Sequence, residues 1–550
     1  DSINVVVDIS GGNNVPPLGA TAPINQAFVG FSVEWTNLHV LIDSPPQFNV
    51  TLNLLQHFTD ATGIGPVLRV GGGTSDTTWY IISRFSCTNF NIFAPRTGEG
   101  TPPTTGDYAL NHNPNLFNLL ESIFDQVQGQ FVLGINFYLP DTNYYAVNES
   151  LFIIQHINPS LKNLKAFEIG NEVDVYTNTG LRNASWSPEE YESTTCPPKV
   201  IFTQSPQQFR YSTQWKYYVD DIDAALNNRD HHIKYQGCVF TGSIYDFMAY
   251  IPTYVGLYRP LLSTISVHYY ALTACGNPDI TMEQLLYGTG TSPPYEYKSL
   301  LGLTNATESG LEWWAGESNS ISCGGVANVS NAFGSALWAV DWMFNLMDLG
   351  FTGVNFHGTG DAIYSPWDAT SIPPTINPLY YAMLAVARTI GGKNTYLMPN
   401  ASTELSVSST QLAVTVRSLL DIVTGVRKIV INHRNISSTA PDAVVNITFS
   451  EGGYSQTASI VYLQAPSWSS LTGVTLNGQT LDGSVDGQFQ GSPTNAVVQA
   501  SAPNTWVFTM KPATTAFLYF TPTTPTTSAS SSASSRSSSS LIDWVSELSY

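Results

Sequence analysis

Two glutamates in this 550-residue chain sit where their chemistry would be usable. Glu172 lies near the end of AFEIGNEVD (166–174), and Glu317 lies within LEWWAGESNS (311–320). Each follows a short apolar run at the point where Gly and polar residues take over. That is the pattern of a buried strand whose end opens into a site. Neither has a Lys or Arg beside it in sequence to neutralise it. Two carboxyls brought to one opening are what cleavage of a glycosidic bond requires: one protonates the departing oxygen, and the other attacks the anomeric carbon or activates water. Either glutamate alone reads better as a loop acid held in a salt bridge; the pair at two strand ends favours catalysis.

The elements that must position them alternate along the chain. Strand-like segments at 28–35, 66–73, 130–139, 166–174, 239–246, 265–271, 311–320 and 351–360 are separated by longer stretches. Several of those stretches, among them NPNLFNLLESIFDQV, YSTQWKYYVDDIDAAL and NAFGSALWAVDWMFNLMDLG, carry apolar residues at helical spacing. Eight such units predict a (β/α)8 barrel over 27–388, with chemistry at the C-terminal ends of the strands. A doubly wound open sheet is the alternative, but RVGGGTSD (69–76) lacks dinucleotide-binding glycine spacing. From 389 to 521 apolar and polar residues alternate between Gly and Asn turns, which predicts an antiparallel β-sandwich. The strand INVVVDI (3–9), within the opening segment 1–26, has no helical neighbour and is expected to join that sandwich. The Ser/Thr-rich segment 522–550 cannot bury a core and reads as a disordered tail.

EIGNE and WAGESNS resemble the acid/base and nucleophile signatures of the clan A retaining glycosidases. Together with LRVGGGTSD (68–76) and SVHYY (266–270), they resemble glycoside hydrolase family 79, the β-glucuronidases and heparanase-like enzymes, across about residues 1–520. The resemblance implies Glu172 as acid/base and Glu317 as nucleophile, with no metal and no cofactor. The ionised Glu317 would then disfavour ionisation of Glu172 and keep it a proton donor. It also implies Asn171 on the sugar 2-hydroxyl, His268 and Tyr270 beside the pair, and Arg69 holding the nucleophile ionised, although a purely structural Arg69 fits the sequence as well. Family members bind the uronate carboxylate with a Tyr followed by glycines after the nucleophile, and with a Tyr beyond strand eight. Here SISCGG puts Ser322 in the first position, followed by Gly324 and Gly325, while Tyr364 stands at the second. Gly324 N–H and the Tyr364 hydroxyl are therefore the expected carboxylate donors. Glu34 and Asp76 are expected on ring hydroxyls.

Composition narrows the substrate and the setting. The net charge is −20 with only 21 Lys and Arg, which disfavours nucleic acid and densely sulfated polymers. No apolar run is long enough to span a membrane. The start at Asp1 and the low charged fraction of 11% are expected of a processed, secreted chain in an extracellular or cell-wall setting, kept soluble by polar residues or sugar. N-glycosylation sequons occur at Asn49, Asn148, Asn183, Asn305, Asn328, Asn400, Asn435 and Asn446. The five cysteines, Cys87, Cys196, Cys238, Cys275 and Cys323, predict one or two disulfides and a buried thiol, with pairing open. The expected function is a retaining exo-β-glucuronidase acting on terminal glucuronic acid, with or without a 4-O-methyl group, in a glycan or proteoglycan. An endo-β-glucuronidase, a neutral-sugar β-glycosidase of the same clan and a catalytically dead sugar-binding module are the alternatives.

Overall fold

The computed structural model describes residues 2–7, 19–79, 108–109, 115–137, 144–176, 206–288, 311–358, 362–398, 401–405 and 413–523, with gaps of one or two residues inside the longer stretches. Eight parallel strands close into a barrel: Val29–Glu34, Val67–Gly71, Gln130–Ile135, Leu164–Ile169, Tyr235–Phe240, Leu262–Thr273, Glu312–Ser322 and Gly353–His357, referred to as strands one to eight. The main helices that follow them are Pro45–Thr62, Asn115–Val127, Tyr144–His156, Pro206–Leu226, Tyr245–Tyr258, Met282–Tyr287, Phe333–Leu349 and Pro378–Ile390. This is the (β/α)8 architecture that the alternating pattern predicts.

Strand five differs from its expected position at 239–246. It begins at Tyr235, and the helix Tyr245–Tyr258 occupies the end of the expected range. Tyr235-Gln236-Gly237 looks like a turn, yet all three residues are buried. The Tyr235 hydroxyl donates to Asp223 at 2.7 Å, and the Gln236 amide donates to Glu168. Polar residues that find partners inside the fold lose the sequence signature of a strand.

The barrel interior is divided. At its closed end Val67, Val132, Ala166 and Trp314, from strands two, three, four and seven, form a small apolar cluster separate from the main core. Trp314 Nε1 donates to Glu312 Oε2 at 2.6 Å, and Glu312 pairs with Lys165 at 2.8 Å. Two residues further along strands two and four, at the same inward parity, stand Arg69 and Glu168. The interior therefore changes from apolar to ionic within one pleat toward the mouth.

The C-terminal part is one curled, eleven-stranded and mainly antiparallel sheet. Its strands enclose a second core that includes Ile429, Ile431, Val445, Ile447, Phe449, Trp506 and Phe520. The N-terminal strand Ser2–Val7 lies in this sheet, parallel to Ala443–Phe449 and antiparallel to Ala401–Leu405. The sheet also packs on the two helices that follow strands seven and eight. Asn432 donates to Leu337 O at 2.8 Å, Arg434 pairs with Asp341 at 2.9 Å, and Lys428 Nζ donates to Thr389 O and Gly391 O. Those helices are buried along almost their full length, so they are apolar nearly all round rather than on one stripe. Among the described residues no helix is long and apolar enough to cross a membrane.

Cys275 and Cys323 form a disulfide and Cys238 is a buried free thiol. Cys87 and Cys196 lie outside the described residues, as do Asn183, Asn305, Asn400 and the chain from 524 onward. Asn49 and Asn328 are exposed, and Asn435 and Asn446 are partly so. Asn148 is only 6% exposed, with its amide nitrogen buried, so the expectation of a glycan there does not fit: the sugar would have to occupy filled space.

Candidate active site

Glu172 is not on strand four itself but in the turn beyond it, which leaves the strand at Ile169. Gly170 takes φ +79, and a Cβ there would meet Tyr176 Oη at 2.9 Å and Phe137 Cβ at 3.0 Å, so the turn needs a glycine. Glu172 follows at φ 50, ψ 49, a left-handed conformation that costs a non-glycine residue about 1–2 kcal/mol. Strain of this kind persists only where surrounding contacts hold it. Those contacts come from Asp76, whose carboxylate accepts from Phe137 N, Asn171 N and Tyr176 Oη at 3.0, 3.3 and 2.6 Å. Asp174 adds another, accepting from Thr241 N and Oγ1 at the end of strand five.

Glu317 is the sixth residue of the eleven-residue strand seven, not its end. The pairing of this strand with strand six slips between Ala315 and Glu317, so that Ala315 faces Val267 and Glu317 faces His268. Such an irregularity re-aims the following side chain, and it brings Glu317 into the mouth.

The two carboxyls meet at His268. Its Nδ1 lies 3.1 Å from Glu172 Oε1 and 3.8 Å from Glu317 Oε2. One carboxylate oxygen from each glutamate and one His268 ring nitrogen lie within 4.8 Å of one another. Their surroundings differ. The Glu317 side chain is 11% exposed and accepts from Arg69 Nη1 at 2.7 Å and from Tyr270 Oη at 2.8 Å. The Glu172 side chain is 29% exposed and has His268 as its ion-pair neighbour.

Arg69 is fully buried and links several of these groups. Besides Glu317 it binds Glu168 through Nε and Nη2, Asn171 Oδ1 at 2.7 Å and Ser32 Oγ at 3.3 Å. Asn171 Oδ1 is thereby occupied, which leaves its N–H groups to donate. Ser32 Oγ in turn contacts His357 Nδ1 at 2.9 Å, and His357 lies 3.5 Å from Glu34 and 3.8 Å from Glu317.

Burial alone would push the Glu317 carboxyl up, but His357, His268, Arg69 and the Tyr270 hydroxyl hold it well below the usual carboxylate range. Burial opposes the His357 imidazolium, yet Glu317 and Glu34 outweigh it and raise its pKa. Burial likewise opposes an ionised Glu34, and the hydrogen bond and charge of His357 outweigh it, lowering its pKa. His268, Glu172 and Glu317 offer three ligand atoms, but Arg69 already supplies a cation at Glu317, and like charges so close repel.

Glu34, Asp76, Asn171, His268, Tyr270, Arg69 and both glutamates thus lie in or directly behind one mouth. Asp76 is the exception to its expected task. It is 1% exposed with its oxygens engaged by the scaffold, so it shapes the Asn171–Glu172 turn instead of reaching a ligand. Tyr364 is buried next to Tyr270, with ring centroids 6.0 Å apart. Gly324 lies on the adjacent rim, where its carbonyl accepts from Ile363 N at 3.0 Å. Four residues of the cluster were not singled out from sequence: Ser32, Glu168, Gln236 and His357. Inward parity on strands one, four, five and eight is the signal that finds them.

No protein-family model matches the chain. Two fungal β-glucuronidases are similar in sequence. The Aspergillus niger protein is 22% identical over 497 residues, covering 84% of this chain and 84% of the relative. The Neurospora crassa protein is 22% identical, covering 88% and 90%. Among solved structures, a 4-O-α-L-rhamnosyl-β-D-glucuronidase from Fusarium oxysporum superposes with a TM-score of 0.67 at 18% identity, covering 93% of this chain and 99% of that one. The family 51 arabinofuranosidase of Xanthomonas axonopodis pv. citri superposes with a TM-score of 0.58 at 11% identity, covering 94% and 99%. The chain shares its fold with these barrel glycoside hydrolases.

Proposed function

We propose that this chain is a retaining, exo-acting β-glucuronidase of the family 79 type. The observation that carries the reading is the pair Glu172 and Glu317, whose nearest ligand oxygens fall within 4.8 Å, with a buried cation on only one of them. That separation suits direct attack with a covalent intermediate better than the wider gap that leaves room for a water. Glu317, ionised and fixed by Arg69 and Tyr270, attacks the anomeric carbon while Glu172 protonates the leaving oxygen. Once Glu317 is an ester its charge is gone, and Glu172 takes the proton from the water that releases the sugar. Asn171 donates to the sugar 2-hydroxyl, and Glu34 accepts from another hydroxyl.

Similarity to two proteins named β-glucuronidases, and the fold shared with a third glucuronidase, support the sugar assignment. On the rim, Gly324 and Gly325 follow one another at φ +87 and +85, and nothing lies within 4 Å of a Cβ placed on Gly324. Their N–H groups and the Tyr364 hydroxyl would bind the uronate carboxylate without a Lys or Arg. With 21 Lys and Arg in the whole chain, a cleft for a long polyanion is poorly supplied, which favours exo action on a weakly charged glycan. An exposed disulfide fits an extracellular setting.

The test is hydrolysis of p-nitrophenyl β-glucuronide beside the β-glucoside, β-galactoside and β-xyloside, with the anomer of the first product followed by NMR. Selective release from the glucuronide with initial β-product is expected. Initial α-product would sink the double displacement. Preference for a neutral glycoside would keep the mechanism and move the substrate class, with Ser322 marking a carboxylate pocket that is absent.

A further inference from the structure

Strands six and seven continue past the barrel mouth, still paired through Ile321↔Leu272 and Ser322↔Thr273. The Ser322 hydroxyl donates to Thr273 Oγ1 at 2.8 Å, and one residue further the Cys275–Cys323 disulfide closes the projection. We propose that this disulfide is a positioning device for substrate selection: it sets the Cys323–Gly324–Gly325 turn against Tyr364 so that the rim discriminates a uronate from a neutral sugar. The inference rests on the glucuronide reading above and deepens it.

The geometry makes the turn dependent on the crosslink. Cys323, Gly324 and Gly325 take φ 61, 87 and 85 in succession; the glycines adopt this freely, and the non-glycine residue that does not, Cys323, is the one the disulfide holds. Two contacts tie the turn to the Tyr364 segment. The Gly324 carbonyl accepts from Ile363 N at 3.0 Å. Gly325 packs so closely that an added Cβ would meet Ser330 at 3.0 Å and the Tyr364 ring at 3.2 Å. The Tyr364 ring packs against that of Tyr270, centroids 6.0 Å apart, and the Tyr270 hydroxyl donates to Glu317 at 2.8 Å. The crosslink thus sits at one end of a contact chain whose other end is the proposed nucleophile.

Among the described residues neither the Gly324 nor the Gly325 N–H has a hydrogen-bond acceptor, so both remain for a ligand. Donors held in place before binding gain affinity because less ordering remains to be done. Loss of the crosslink should therefore weaken capture of the carboxylate while leaving the Glu172–Glu317 pair in place. Both half-cystines are exposed, so the bond is accessible to reductant, whereas Cys238 is buried.

The experiment compares the native protein with the double variant C275A/C323A, using p-nitrophenyl β-glucuronide and the β-glucoside. The native protein treated with a phosphine reductant, with released thiols counted by mass after alkylation, provides a second measurement should the variant fold poorly. The expected result is a KM for the glucuronide raised about 10-fold or more, the scale of one lost hydrogen bond to a charged group, with kcat within about 3-fold and glucoside kinetics unchanged. Unchanged glucuronide KM after loss of the bond overturns the inference alone. An equal fall on both substrates overturns it too, by assigning the disulfide a general structural role. A native protein with no preference for the glucuronide overturns the underlying reading and this inference with it.

Discussion

The turn after strand four and the middle of strand seven each bring one glutamate to the same opening, and they treat it in opposite ways. Strand seven holds Glu317 in the sheet, nearly buried, with Arg69 and Tyr270 on its oxygens and two histidines within 4 Å. The turn after strand four presents Glu172 from a left-handed residue, 29% exposed, beside His268. Like residues become unlike in chemistry because one is enclosed by cations and donors while the other is left where a leaving group and water can reach it. A fixed anion suits attack along one line, and an open carboxyl suits proton traffic.

The sharpest way to break this contrast is to neutralise each partner in turn. Glu317→Gln should reduce kcat by at least about 10³-fold on every β-glucuronide, whatever the leaving group, because no covalent intermediate forms. Glu172→Gln should cost about 10²–10⁴-fold on a poor leaving group and far less in the glycosylation of an activated aryl glucuronide, since that aglycone needs little protonation. Equal leaving-group dependence in the two variants would contradict the division of roles.

A somewhat smaller effect is expected from the enclosure itself. Arg69→Met leaves Glu168 and Glu317 buried without their cation, and breaking such a pair costs about 3–5 kcal/mol. Urea unfolding should report that loss, and kcat in the surviving protein should fall by about 10²-fold or more. A variant with native stability would show that Arg69 is not holding the network.

The smallest effect lies in pH dependence. Glu317 has its folded pKa depressed, so its contribution to stability is fully present above 4.5 and is lost as pH falls through the depressed value. His357 has its folded pKa raised, so its contribution is fully present below 6.5 and is lost as pH rises through the raised value. Both act in full between pH 4.5 and 6.5. In His357→Gln the decline of Tm above pH 6.5 should become shallower than in the native protein. Identical slopes would remove His357 from the account.

Much of this was legible in the residues, and the exceptions share a cause. Seven of the eight strands lie close to where apolar runs mark them, because a barrel strand buried on both faces needs such a run. Strand five is hidden by Tyr235 and Gln236, whose polar atoms find partners inside the fold. Glu168 is passed over for the same reason. It sits within AFEIGNEVD, four residues before Glu172, and only strand parity separates the residue that points at Arg69 from its outward neighbours Phe167 and Ile169. His357 and Glu34 lie more than 300 residues apart, and no local pattern announces their contact. Asp76 misleads in the other direction. Its position after the glycines suits a ligand contact, but the turn it braces takes both of its oxygens.

The N-terminal strand has a consequence for biosynthesis. Asn4 is paired with Asn446, so this strand leaves the ribosome well before the sheet partner it pairs with. At about 5–20 residues per second, that interval is roughly 20–90 s. During that time the barrel can form, but the strand Ser2–Val7 has neither of its neighbours Ala401–Leu405 and Ala443–Phe449. An unpaired strand is a template for other chains. The nascent protein must therefore keep this strand from wrong partners until Ala401–Leu405 and Ala443–Phe449 have been made, and a chaperone that shields it would raise the yield of folded molecules.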